Sequence, residues 1–169
     1  MNKKGITLIG MPGSGKSFIG KELSAMTHLP LLDIDRWMED LEGGIPLAQL
    51  IEQKGADYVL DLETRNIRSQ NFYETIVSTP GSIIYNDVLD VLQQQTHIIW
   101  LDVPLGTIKK RLATNSEHAR LIIGLEEKGI ETLFSERVVA YKQWAHYTIN
   151  CDRKTASEIV SDIISIIGY

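Results

Sequence analysis

Apolar positions in this chain fall into short runs that alternate with longer stretches at helical spacing. Ile6-Thr7-Leu8-Ile9 is a brief apolar run with β-branched residues, the pattern of a buried strand. After it, Phe18, Ile19, Leu23 and Met26 recur on one face of a helix. The same reading along the chain predicts strands over 5–9, 30–34, 75–79, 97–102 and 147–150. It predicts helices over 16–27, 35–41, 46–54, 56–71, 86–95, 105–113, 126–143 and 155–167. Strands rich in Ile, Leu and Val, separated by helices, predict an α/β fold: a five-stranded parallel sheet with helices on both faces. No repeat, linker or low-complexity segment breaks the 169 residues, so one domain over 1–169 is expected. Ligands of such folds sit beyond the carboxyl ends of the strands. Gly10, Asp33, Pro80 and Asp102 fall at those ends, so the chemistry is expected to gather there.

Residues 10 to 17 read Gly10-Met11-Pro12-Gly13-Ser14-Gly15-Lys16-Ser17, a full match to the phosphate-binding loop pattern G-x-x-x-x-G-K-S/T. Its setting, between a predicted strand and a predicted helix, supplies the mechanism. Glycines let the backbone curl so that several N–H groups point at a phosphate. The helix N-terminus adds partial positive charge. Lys16 can then reach the β- and γ-phosphates of a nucleotide, and the Ser17 hydroxyl can ligate Mg2+. Asp33 and Asp35 end the next apolar run, two residues apart, so in an extended chain their side chains share one face. One carboxylate can hold the metal or its water shell, and the other can orient an attacking hydroxyl and take its proton. Capping of a helix that starts with Arg36-Trp37-Met38 is the other role open to either aspartate.

Composition narrows the partners. A net charge of −5 gives no general attraction to nucleic acid, so a phosphate site must be built locally. The single cysteine, Cys151, excludes an internal disulfide and suits a reducing compartment; it reads as a small apolar residue rather than a nucleophile. No apolar run approaches the ~20 residues that span a membrane. The first residues lack a signal-peptide core, because Gly10, Pro12 and Gly13 interrupt it. A cytoplasmic protein with neither nucleic acid nor membrane as partner is expected. His28, His97 and His146 lack metal-ligand spacing. Trp37, Trp100 and Trp144 read as core, with Trp37 close enough to the aspartates to line a pocket. Asp102 reads as a helix cap ahead of Pro104.

The order of this short loop, an Asp33-Ile34-Asp35 at the end of the next strand and a C-terminal Arg137-x-x-x-Tyr141 resembles the shikimate kinase family, small kinases of the nucleoside-monophosphate-kinase fold. The resemblance spans nearly the whole chain. Gly20 and Leu23 fit the family's first helix, Gly55 and Glu63 the two ends of its G-E-x-x-F-R-x-x-E, and Arg111-Leu112 the pair before its mobile lid. What the resemblance implies is transfer of the γ-phosphate of ATP, with Mg2+, to the hydroxyl of a small molecule, by a monomer. By it, Met11, Pro12, Gly13, Ser14 and Gly15 wrap the nucleotide together with Lys16, Ser17 and Phe18. Ser17 and Asp33 would serve the metal. Lys16, Asp35 and Arg120 would be catalytic, with Arg120 on a lid over about 114–124. Arg111 would lie against the adenine. Asp35, Gly81 and Arg137 would meet the acceptor, whose binding region covers about 35–71.

The departures cluster at the acceptor half. The family's phenylalanine and arginine are Val59 and Leu60, and that arginine is one of two that grip the shikimate carboxylate. The family's triple glycine is Pro80-Gly81-Ser82, where proline removes a donor and adds bulk. The lid proline is Leu121, and the proline of R-x-P-L-Y is Val139. Either the acceptor differs from shikimate or another cation replaces the lost one. On the same predicted helix, Arg65 is turned about 140° from Leu60 and Arg68 lies two turns on, so Arg36 is the better candidate. Two other classes stay open: another phosphate-loop phosphotransferase, acting on a nucleoside monophosphate or a sugar acid, and a non-catalytic nucleotide-binding relative. The first would need several arginines for a second phosphate, where 55–71 offers only Arg65 and Arg68. The second has no use for an intact Asp35. Losing a charged hydrogen bond costs roughly 1.5–3 kcal/mol, so Leu60→Arg is expected to tighten shikimate binding about ten- to a hundredfold in a titration. A flat response would sink this alignment of the helix.

Overall fold

The computed structural model describes residues 4–114 and 122–169. Five strands, β1 (Gly5–Ile9), β2 (Leu31–Asp33), β3 (Ile76–Ser78), β4 (Thr96–Asp102) and β5 (Tyr147–Asn150), form one sheet in the order β2-β3-β1-β4-β5. Every neighbouring pair is parallel. The side-chain period of two sorts the apolar residues between two cores. Ile6, Leu8, Ile76, Ile99 and Leu101 point to one face, where α1 (Lys16–Thr27) and α8 (Ala156–Ile167) cover them with Leu23, Ile159 and Ile163. Ile9, Val77, Ile98 and Trp100 point to the other. There they meet α2 (Ile34–Leu41), α3 (Leu47–Lys54), α4 (Ala56–Arg68), α5 (Leu89–Gln95), α6 (Leu105–Ala113) and α7 (Leu125–Trp144). Each such Ile or Leu stabilises the fold by about 1.5–3 kcal/mol relative to exposure. The polar exception in the central strand is satisfied: Thr7 donates to Thr96 Oγ1 at 2.8 Å, and Thr96 passes its own proton to the Leu92 carbonyl at 2.7 Å.

The predicted elements are all present, and the differences have local causes. Strand β2 stops at Asp33 because that side chain accepts from the Arg36 amide at 3.4 Å and caps α2, which therefore starts at Ile34, one residue before the predicted helix, and the extended stretch that would put Asp33 and Asp35 on one face is not formed. Helix α4 ends at Arg68, three residues short of the prediction, where Ser69 Oγ donates back to the Asn66 carbonyl. The predicted helix over 86–95 starts only at Leu89, after a 3₁₀ turn over Ile83–Tyr85. Its early residues are held elsewhere: the Asn86 amide turns to Glu63, and Arg68 takes the Asp87 carbonyl. Helix α7 is broken at Gly129, whose φ of 75° and ψ of 160° leave the helical region. Asp102 does not cap α6; Pro104 holds that position with no side-chain bond. Among the described residues no helix is long and apolar enough to cross a membrane.

The start of β1 is the tightest point of the sheet. A Cβ on Gly5 would run into the backbone carbonyl oxygens of Phe72 and Thr75, neither of which can yield without moving the β3 entry. Gly5→Ala is therefore expected to destabilise the protein by about 3 kcal/mol in urea unfolding, with the slope m unchanged.

Candidate active site

The carboxyl ends of β1, β2 and β3 open into a cleft of about 850 Å³. Its floor is the loop after β1. Gly15 takes the left-handed conformation at φ 93° that lets α1 begin at Lys16. The Lys16 side chain, 8% exposed, curls back into its own loop. Its ammonium donates to the Gly10 and Met11 carbonyls at 2.8 and 2.9 Å. Burial lowers its pKa to about 8; Asp35 and Asp33 oppose that fall and Arg137 adds to it. Pro12, Gly13, Gly15, Lys16, Ser17 and Phe18 line the cleft, whereas Met11 turns its side chain into the core and offers only backbone. Ser14 is buried behind the loop. Arg111 reaches across from α6, and its Nη1 donates to the Gly13 carbonyl at 2.9 Å, on the outer side of the loop.

Beside Lys16, the Ser17 hydroxyl donates to Asp33 Oδ2 at 2.5 Å and lies 3.2 Å from Ser78 Oγ. Asp33 thus both caps α2 and meets the Ser17 hydroxyl of the phosphate loop. Three hard oxygens in one place suit a Mg2+ that keeps waters and phosphate oxygens as its remaining ligands. Among the described residues no group of three His, Cys, Asp or Glu side chains could hold a metal by itself. Sequence reading missed Ser78. Its only signal is the parallel register that sets it opposite Asp33, and register is not visible along one strand. The Asp35 carboxylate is half-buried on the same floor. Burial raises its pKa to about 6, with Asp33 and then Glu39 adding to the rise against Lys16.

The far end of the cleft is walled by Trp37, Leu47, Ile51 and Val59, with Glu63 and Arg137 as its buried charged types. Arg137 is 0% exposed. Its Nη2 donates to the Ile123 carbonyl at 2.8 Å, its Nε to the Tyr85 hydroxyl at 3.4 Å, and its Nη1 has no partner among the described residues. A buried guanidinium N–H without an acceptor is costly unless a ligand supplies one. Gly81 makes room for it: a Cβ there would lie 2.9 Å from Arg137 Nη1 and 2.5 Å from Pro12 Cδ. Tyr141 Oη fixes that glycine by donating to its carbonyl at 2.7 Å. Glu63, 1% exposed, accepts from Asn86 Nδ2 at 2.5 Å. Leu60 is half-buried and does not line the cleft, and neither Arg65 nor Arg68 does; Arg68 pairs with Asp87 instead. Arg36 is exposed and does line it. Arg120 and Leu121 lie outside the described residues, as does most of the expected lid. The Cys151 thiol stands apart from the cleft, donating to Ile149, and burial pushes it up to about 11.

A family model described as shikimate kinase matches residues 12–168. The chain belongs to the shikimate kinase family. A shikimate kinase of Sulfurihydrogenibium sp. (strain YO3AOP1) is 36% identical over 164 residues, 96% of each chain. The shikimate kinase of Aquifex aeolicus superposes with a TM-score of 0.81 at 28% identity, covering 96% of this chain and 95% of that one. A shikimate kinase from Acinetobacter baumannii, solved in complex with shikimate, has the same fold, with a TM-score of 0.84 at 22% identity over 98% of this chain and 93% of that one. Membership makes this chain an ATP-dependent phosphotransferase with an alcohol acceptor, which replaces the reading as a non-catalytic relative. The family's P-loop fold is the five-stranded parallel sheet described above. The close fit at Gly81 is testable in this setting. Gly81→Ala should cost about 1–3 kcal/mol of stability in urea unfolding and raise the acceptor KM at least tenfold by displacing Arg137 Nη1.

Proposed function

We propose that this kinase phosphorylates a hydroxyl of shikimate or of a closely similar hydroxy acid. The observation that carries the reading is the buried Arg137, whose open Nη1 lies in the cleft that also holds Asp35 and the phosphate loop. A cation that can pair with a carboxylate and a carboxylate that can receive a proton then bracket one small acceptor. The complex of the Acinetobacter baumannii relative with shikimate supports the same acceptor class.

The acceptor hydroxyl gives its proton to Asp35 as its oxygen bonds to the γ-phosphorus. The bond from that phosphorus to the β-γ bridging oxygen breaks, and ADP leaves. Lys16 exchanges the Gly10 and Met11 carbonyls for phosphate oxygens when nucleotide enters. Ser17 and Asp33 would hold Mg2+, which supplies charge neutralisation on the phosphates. Arg111 borders the adenine side; Arg120, which the resemblance gives to a lid over about 114–124, lies outside the described residues. Residues 35–71 form the acceptor region of a single domain, 1–169. The reading includes a monomer, as the resemblance implies, and a cytoplasmic setting, supported by the single cysteine.

A second acceptor is favoured by one observation: no arginine of α4 lines the cleft, so the second cation of the family's carboxylate grip is absent. Arg36 at the rim is the cation nearest that role. A nucleoside monophosphate fits worse still, because among the described residues its phosphate would find, beyond the phosphate loop, Arg137 and the rim cations Arg36 and Lys21.

ADP release from MgATP, with and without shikimate at saturating ATP, tests the reading. Shikimate-dependent turnover is expected, and Asp35→Asn should lower it by about 10²–10⁴. ATP binding with no response to shikimate would move the acceptor to another hydroxy acid. The pH profile is a further test. The base form of Asp35 exists above its raised pKa of about 6 and is lost as the pH falls through it. The acceptor-dependent rate is therefore expected to drop about tenfold per pH unit below 6.

A further inference from the structure

Glu63 is the deepest carboxyl group of the acceptor wall, and it lacks the counter-charge such a group requires. Its Oε2 accepts from Asn86 Nδ2, from the segment after the 3₁₀ turn. From α2, Asp35 adds negative charge and Glu39 lines the same cleft one turn on, while the cations Arg36 at the exposed rim and Lys16 on the floor line it without an ion pair to Glu63. From α7, Arg137 spends its donors on Ile123 and Tyr85 and leaves Nη1 beside Gly81. On α4 itself, the position one turn back is Leu60, and Val59 and Leu62 are apolar. Among the described residues no lysine or arginine forms an ion pair with Glu63. A buried anion without a cation or a full set of donors is strongly disfavoured, and such a group keeps its proton instead.

We propose that Glu63 serves the acceptor site as a neutral carboxyl group, donating a hydrogen bond to an uncharged oxygen of the acceptor, and that its ionisation weakens acceptor binding. With one oxygen taken by Asn86, the remaining O–H has the cleft as its outlet. The acceptor is then a hydroxy acid bearing at least one further hydroxyl, held at three points: the reacting hydroxyl at Asp35, the carboxylate at Arg137 and a second hydroxyl at Glu63. This selection rests on the proposed function, and it follows from leucine at position 60. An arginine there would turn Glu63 into half of an ion pair. Burial, with Asp35 as the second cause and the Asn86 bond opposing, raises the Glu63 pKa to about 8. Above that pH an anionic Glu63 would face Asp35 and repel an anionic acceptor.

Two measurements decide the matter. The first is a 13C NMR titration of enzyme carrying carboxyl-labelled glutamate, without nucleotide or acceptor. The Glu63 signal is assigned by its loss in Glu63→Gln or, should that variant not fold, in Glu63→Ala. Titration of that signal above pH 7 is expected; titration between pH 4 and 5 overturns the proposal. The second is acceptor KM from pH 7 to 9 with whichever hydroxy acid is turned over. Glu63→Ala should raise KM at pH 7 tenfold or more. Glu63→Gln, whose amide can still accept from Asn86 and donate into the cleft, should recover most of that loss and abolish the rise in KM above pH 8. A Glu63→Gln variant that folds but binds acceptor as poorly as Glu63→Ala overturns the proposal. If no hydroxy acid is turned over, the proposed acceptor class fails, and the titration alone still decides the state of Glu63.

Discussion

Everything at the cleft depends on β1 being held between two parallel neighbours. Strands β3 and β4 pair with it along its length, so its carboxyl end is fixed to within a residue against theirs. The loop that follows can therefore place its backbone N–H groups in one spot without a side chain to guide it. Parallel pairing also brings the ends of β2 and β3 to that same edge, which is how Asp33, Ser78 and Ser17 meet from three separate elements. The tightness at Gly5 belongs to the same constraint: the strand enters the sheet beneath two carbonyl oxygens with no space for a methyl group.

The charges of the cleft are mutually dependent. The shifts of Lys16 and Asp35 come first from burial; after it Lys16 responds to Asp35, Arg137 and Asp33, and Asp35 to Asp33, Lys16 and Glu39. The lysine is satisfied by loop carbonyls, a cheaper arrangement for a buried ammonium than an open cavity.

The acceptor half shows what a single change on a helix does. Leucine at 60 offers Glu63, one turn away, no charge, and among the described residues Asn86 is its hydrogen-bond donor. The bulk of Pro80 stands beside Gly81, which has to remain bare to admit Pro12 and Arg137 Nη1. Membership of the shikimate kinase family is carried by nearly the whole chain, residues 12–168.

Local pattern was enough for much of this protein. Strand β1, helix α1, helix α6 and strand β5 match their predicted bounds residue for residue, because a period of two or of 3.6 and a glycine or proline at the boundary act over a few residues. The phosphate loop was legible for the same reason, its chemistry being written in eight consecutive residues. What only the tertiary structure decided involves residues far apart in the chain. Asp33 gave up its place in an extended pair with Asp35 to cap α2. The helix predicted from residue 86 was shortened by bonds to α4. Ser78 joined Asp33 through register, Glu63 met Asn86 across 23 residues, and Arg137 was buried with one donor open. Sequence determined which groups could do chemistry; packing decided which of them were buried, which were paired and which were left facing the acceptor, since burial and pairing are properties of neighbours that the linear order does not specify.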